Sequence, residues 1–361
     1  MRNPMGRTIL VINPGSTSTK LAVFNDDKIV LSHELSHSSD MLSRFPGVMD
    51  QYEFRRDLIE GFLEENGISV SGLSAVAARG GLLHPVSSGA YRVNDRMVED
   101  LKQAKYGEHA SNLGGVIAKA LADRGNAPAY IVDPVVVDEL EEIARLSGHP
   151  DIPRRSLFHA LNSKAAAREA ARIIKKRYDE ASMIVAHLGG GISVGLHHHG
   201  RVIDVNNALD GEGPFTPERT GTLPAGQLAR LCFSGRYTFD EVRELIKGKG
   251  GMVAYLGTNS SLEVIRRIEK GDERAKVVYR AMAYQIAKEI MSLFPGASGE
   301  VDAVVLTGGM ARDDRYLVPW IGEMLGRHVR VVVLPGELEM EALALGVLRI
   351  LRGEQPAGEY S

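Results

Sequence analysis

The chain has 361 residues, 44% of them hydrophobic and 25% charged, with a formal net charge of -3. One hydrophobic core rarely serves so long a chain, so two domains are expected, and the charge balance excludes a strongly basic nucleic-acid surface. A lone cysteine, Cys232, excludes an intrachain disulfide. No apolar run is long enough for a signal-peptide core or a membrane span, so the expectation is a cytoplasmic protein with neither membrane nor nucleic acid as partner.

In chain order, Thr8–Ile12, Leu21–Phe24 and Lys28–Leu35 read as strands, with turn chemistry at Asn25-Asp26-Asp27. Asp50–Asn66 reads as a helix closed by Gly67. Ala75–Ala78 is a short buried strand running into Arg79-Gly80-Gly81, and Met97–Lys105 and Leu113–Arg124 are helical. Ala129–Val132 is a strand ending at Asp133-Pro134, and Asn162–Tyr178 is an Ala-rich helix. From Met183 the pattern of strand, Gly turn, strand, turn, strand recurs, ending with Arg201–Val205. Gln227–Phe233, Phe239–Ile246, Leu262–Ile268 and Arg274–Leu293 read as helices. Val301–Leu306 and Val329–Leu334 are the last strands, and Glu339–Arg352 the last helix. The alternation predicts an α/β protein with largely parallel central sheets. The expected domains are 1–160 and 161–361, the last helix (about 339–352) being a candidate to pack back on the first.

The recurring segment carries the chemistry. Ile9–Phe24 and Met183–Leu196 each carry a β-hairpin signature: an apolar strand ending in one polar residue, Asn13 or His187, a tight turn of small residues, and a second strand. Successive amide N–H groups in such turns make anion-binding concavities. Two copies suggest two related halves gripping the phosphates of one nucleotide. No Gly-x-x-x-x-Gly-Lys-[Ser/Thr] occurs, and no Gly-x-Gly-x-x-Gly follows a strand. Glycine-rich turns instead lie at Asn13–Thr19, Arg79–Gly81, Gly189–Gly191, Gly248–Gly251 and Gly308–Gly309. One such turn alone is merely tight; five at strand ends, where ligands of open α/β sheets sit, favour phosphate binding.

Three polar residues stay open on this reading. Asp133 is a carboxylate for magnesium or its waters, or a turn residue before Pro134. His159 by itself is equally a structural histidine. Arg219, in the irregular stretch Gly211–Gly221, belongs to a functional loop or to a surface salt bridge. His197-His198-His199 is a strand end rather than a metal patch, because adjacent strand residues face opposite ways.

Val11-Ile12-Asn13-Pro14-Gly15-Ser16-Thr17-Ser18-Thr19-Lys20 resembles the opening motif of the acetate kinase family, and His187-Leu188-Gly189-Gly190-Gly191 its second phosphate turn. Arg79–Leu83, Glu108–Asn112 and Gly213–Arg219 look most like the butyrate kinases of that family. The resemblance covers essentially the whole chain. It implies two duplicated ribonuclease-H-like domains with a nucleotide cleft between them, as in sugar kinases, heat-shock ATPases and actin. It implies ATP/ADP and Mg2+, a small carboxylic acid or acyl phosphate as partner, and a homo-oligomer of at least two chains. Residue by residue, it implies that Asn13, Gly15, Ser16, Thr17, Ser18 and Lys20 lie near the transferred phosphoryl group, Asn13 also near the metal. Arg79 and Arg219 match the arginines that hold carboxylate and phosphoryl group, and His159 the histidine that stabilises the phosphoryl in transfer. Asp133 matches a carboxylate near the attack site, and Glu339 a magnesium-associated glutamate. His109, His187, Gly189, Gly190 and Gly191 match phosphate positions, and Gly308 and Gly309 the adenosine turn. In acetate kinases a histidine precedes the glycine pair and separates it from the arginine; here Gly80 follows Arg79 at once. That departure argues for butyrate or a near homologue over acetate or propionate. The paired arginines suit an anionic acceptor better than a sugar hydroxyl, and they argue against a non-catalytic nucleotide-binding module.

Overall fold

Each of two central sheets begins with a buried strand that turns back on itself. The structure, a computed structural model, describes residues 6–327 and 329–361. Two compact units divide the chain: one runs up to Val137 and takes in Leu338–Ser361, the other is Asp138–Glu337.

The first unit contains β1 (Thr8–Pro14), β2 (Ser18–Asn25), β3 (Lys28–Ser36), β4 (Ala75–Arg79), β5 (Ala90–Arg92) and β6 (Ala129–Val132). With the short strand Gly358–Glu359 they form a seven-stranded sheet in the order Gly358–Glu359, β5, β6, β4, β1, β2, β3. β1, β2 and β3 are an antiparallel meander, and β4 and β6 extend it in parallel from β1. Ile9, Leu10, Val11 and Ile12 are wholly buried, an unbroken apolar run of the kind that lies at the centre of a sheet covered on both faces. The helices Asn112–Gly125 and Glu339–Leu351 pack on β1, β4 and β6.

The second unit contains β7 (Ser182–Leu188), β8 (Ile192–His198), β9 (Arg201–Val205), β10 (Ala303–Gly308) and β11 (Val331–Pro335), ordered β9, β8, β7, β10, β11. β7, β8 and β9 again form an antiparallel meander, and β10 and β11 again add in parallel. The order β3-β2-β1-β4-β6 is thus repeated strand for strand. Even the irregularity recurs, at Val23/Phe24 between β2 and β3 and at Leu196/His197 between β8 and β9. Both sheets are therefore mixed rather than largely parallel, because the tight turns after β1 and β7 permit only antiparallel return.

The helix Ala160–Ile174 lays Ala166, Ala167, Ala170 and Ala171 against β7 and β10. This stripe has helical spacing and side chains small enough for close approach. The helix stops at Ile174, where Lys175 takes a left-handed φ of 62°, short of the Tyr178 end that the sequence suggested. The helix Glu273–Ser292 covers a second cluster through Tyr279, Met282, Ile286 and Ile290.

The division at Val137/Asp138 lies upstream of 160/161 for a specific reason. Glu141 N–H donates to the Ile203 carbonyl at 3.0 Å, and Arg154 bonds Asp204 and the Val205 carbonyl, so this segment is tied to β9. Among the described residues no helix is long and apolar enough to cross a membrane.

Candidate active site

In the first unit Asn13 is the penultimate residue of β1 and Arg79 ends the neighbouring parallel strand β4, so both sit at the carboxyl edge of the sheet. Glu339 is the first residue of the helix Glu339–Leu351, where the helix dipole favours a negative charge. Its Oε2 accepts from Asn13 Nδ2 at 2.7 Å and from Arg79 Nη1 at 3.3 Å. Asn13 and Glu339 are both 5% exposed. Glu339 Oε1 and Asn13 Oδ1 have no hydrogen-bond partner among the described residues. Two hard oxygens on side chains already tied together suit magnesium, which commonly takes one or two carboxylates and completes its shell with phosphate and water. Among the described residues no cluster of three His, Cys, Asp or Glu side chains could hold a metal.

The turn between β1 and β2 is closed by Gly15 N–H donating to the Ser18 carbonyl at 2.8 Å. Ser16 and Thr17 are exposed at its tip, Ser18 opens β2, and Lys20 pairs in register with Asn13. Asp133 follows β6 with a left-handed φ of 38°, and its Oδ1 accepts from Ser88 Oγ at 2.7 Å and Gly89 N–H at 2.8 Å. His109 is exposed, with Nδ1 accepting from Ser111 N–H at 3.2 Å.

The second unit brings two histidines together. His187 near the end of β7 stacks on His159, ring centroids 4.0 Å apart and planes 9° from parallel. Asn162 Nδ2 donates to His187 Nδ1 at 2.8 Å, which leaves the ring proton on Nε2, the nitrogen that lies nearest Gly189. Ser193 Oγ lies 3.0 Å from His159 Nδ1. The turn Gly189-Gly190-Gly191 follows β7, and the loop carrying Arg219 is pinned to it. Thr216 Oγ1 donates to the Gly190 carbonyl at 2.6 Å and accepts from Arg219 N–H at 3.0 Å. The Arg219 guanidinium lies directly on Gly191: a Cβ there would stand 2.2 Å from Nη1. Nη1 donates to the Ala208 carbonyl at 2.6 Å, while Nε and Nη2 have no hydrogen-bond partner among the described residues. Burial lowers the Arg219 pKa from its ordinary value. Asn206 anchors the same loop, its Oδ1 accepting from Val194 N–H at 2.7 Å and its Nδ2 donating to the Ile192 carbonyl at 3.2 Å. Gly308 requires glycine on two grounds: φ is +91°, and a Cβ would meet the Leu188 carbonyl oxygen at 2.4 Å. It exchanges two backbone hydrogen bonds with Gly336, and Gly309 follows it.

The structure thus joins Asn13, Arg79 and Glu339 by direct bonds, joins His159 to His187, and sets Arg219 on Gly191. His109 bonds Ser111 in its own loop, and Asp133 bonds Ser88 and Gly89 ahead of β5. Sequence reasoning missed Asn162, Ser193, Thr216 and Asn206. Two of these had a signal: Asn162 lies three residues past His159, and Asn206-Asn207 directly follows a strand.

Butyrate kinase 2 of Clostridium acetobutylicum is 51% identical to this chain over 352 residues, which is 98% of this chain and 99% of the relative. The chain belongs to the acetokinase family. The sequence profile described as Acetokinase family matches residues 151–320. Among solved structures, the acetate kinase of Porphyromonas gingivalis superposes with a TM-score of 0.77 at 20% identity, covering 96% of this chain and all of the other. A propionate kinase from Francisella tularensis gives 0.75 at 19% identity, covering 94% and 98%. These likenesses establish the two-domain fold. As a member of the acetokinase family the protein is a kinase whose phosphoryl acceptor is a carboxyl group.

Proposed function

We propose that the protein transfers the γ-phosphoryl group of ATP to butyrate or a near homologue such as isobutyrate, reversibly, by direct in-line displacement. The observation that carries this reading is Arg219: a half-buried guanidinium laid on a glycine turn, with Nε and Nη2 unbonded among the described residues. Such an edge calls for an oxyanion, and two parallel N–H donors match carboxylate or phosphoryl oxygens. Residue types and a close full-length relative support the acid as acceptor.

On this reading a carboxylate needs no strong base, since it is ionised at neutral pH. The work lies in bringing two anions together, which is positioning and electrostatics. Arg219 and Arg79 hold substrate oxygens. His159, oriented by Ser193, donates to an equatorial oxygen of the group in transfer, and His187 Nε2–H serves the phosphates beside Gly189. Lys20 and His109 add charge and a donor, Asp133 lies near the attack site, and Gly308 and Gly309 take the adenosine. Glu339 and Asn13 are the residues that would hold magnesium, which supplies charge neutralisation for the ATP phosphates. The same reading has the protein working in the cytoplasm as a homo-oligomer of at least two chains.

The test is a hydroxamate assay with ATP and Mg2+ across straight and branched C2–C6 acids, with glucose-dependent ADP release in parallel. Hydroxamate greatest with C4 acids is expected. Turnover of glucose without acyl phosphate, or equal turnover of acetate, overturns the reading.

A further inference from the structure

Arg55, on the helix Tyr52–Glu65, is 1% exposed and bonds no carboxylate among the described residues. Its guanidinium is spent on the β1–β2 turn. Nη1 donates to the carbonyls of Gly15 at 2.8 Å and Ser18 at 3.2 Å and to Thr19 Oγ1 at 3.2 Å. Nη2 donates to the Ser16 carbonyl at 3.2 Å. Gln51, one helical turn earlier, takes Nε at 3.0 Å and Nη2 at 2.8 Å through Oε1. A cation buried against dipoles alone is costly unless another charge benefits from it.

The peptide bonds of the turn are trans, so each N–H points opposite the preceding carbonyl. Carbonyls of Gly15 and Ser16 drawn towards Arg55 send the N–H groups of Ser16 and Thr17 the other way, to the exposed tip. Neither N–H has a hydrogen-bond partner among the described residues. The buried Arg55 charge stands behind these donors, where water and salt screen it less than a surface charge. Beside it, His37 Nε2 lies 2.9 Å from Thr19 Oγ1, and its Nδ1 is buried with no hydrogen-bond partner among the described residues. Burial and the Arg55 charge pull His37 down to about 4, leaving Arg55 the charged member of the pair at neutral pH.

We propose that Arg55 is a positioning residue for phosphate binding: it holds the turn inverted so that two backbone donors and its own charge face the nucleotide phosphates. This rests on the kinase reading above and names a residue outside the motifs that support it.

The experiment compares Arg55→Lys and Arg55→Gln with Ile59→Ala, a core change in the same helix. Rates are scaled to folded protein, with ATP, Mg2+ and butyrate as substrates. The Arg55 variants are expected to lose tenfold or more in kcat/KM for ATP with less than threefold change in KM for butyrate. Ile59→Ala is expected to lose thermal stability while keeping kcat/KM within threefold. Arg55 variants that behave like Ile59→Ala overturn the inference. Where the variants do not fold, the unsubstituted protein decides through arginine side-chain NMR. The Arg55 guanidinium signals shift on saturation with Mg·ADP if the inference holds, and their constancy overturns it. A protein that binds Mg·ADP and shifts these signals yet phosphorylates none of the acids sinks the kinase reading while leaving Arg55 in its role.

Discussion

Arg219 and Gly191 act as one unit. The guanidinium needs the missing side chain, and the Ala208 carbonyl fixes it there. Arg219→Ala is expected to lose about 10²–10³ in turnover, the usual effect of removing one well-placed electrostatic donor, while ATP binding survives. Steady-state kinetics beside calorimetric titration of nucleotide reads both; an unaltered kcat removes Arg219 from the chemistry. His37 makes a second residue-scale prediction. Its folded value of about 4 lies below the ordinary 6.5, so the fold favours the neutral ring. The unfolded chain therefore binds the proton first. This stability is fully present above about pH 6.5 and is lost as pH falls towards about 4. Melting temperature should drop across that window, and His37→Gln should flatten the drop; an equal drop in the variant assigns it to other groups.

At the scale of elements, the 206–221 loop is held by side chains at its start and by backbone bonds to 246–253 near its end. Asn206, 1% exposed, satisfies the Val194 N–H and the Ile192 carbonyl at once. Asn206→Ala leaves a buried donor unmade, at about 1–3 kcal/mol, and loosens the loop that carries Thr216 and Arg219. Urea unfolding and kcat should fall together; a stability loss with full kcat would mean the loop is anchored elsewhere. These features mark where the sequence stopped being legible. β1, β7 and the glycine turns were readable because apolar runs broken by small residues have one physical meaning. The antiparallel return of β2 and β8 was legible as a hairpin, because each tight Gly turn lies between two apolar strands; the regular alternation of strands and helices elsewhere made the parallel share of the sheets look larger than it is. The three-residue β5 and the strand Gly358–Glu359 are too short for any periodicity to show. Arg55 was invisible because it looks like any charged residue on a helix, and only its burial identifies it. The joining of Asn13, Arg79 and Glu339 spans 326 positions and appears only once the helix Glu339–Leu351 is laid on β1.

For the whole molecule, an expected chain-length preference goes with the Arg79–Leu83 segment of the first unit. Leu83 is buried just past Arg79, and Gly80 and Gly81 press on Pro134 and Asn112 with no room for side chains. Two further methylenes on the acid, if fully buried, add roughly 1.6 kcal/mol, about fifteenfold in kcat/KM for butyrate over acetate. Parity between the two acids defeats this estimate. The repeated sheet order also has a consequence for the ribosome. Asp138–Glu337 is continuous, whereas the other unit takes its helix Glu339–Leu351 and edge strand Gly358–Glu359 from the far end of the chain. Tyr360 seals that edge, its hydroxyl donating to Asp100 at 2.8 Å. During synthesis the part made second can therefore mature first, and the part made first must wait for residues translated after that part. Nascent chains arrested near residue 338 should resist protease across 138–337 and be cut within the earlier segment. Protection of both halves at that arrest point would show that β1–β6 hold together without their final helix.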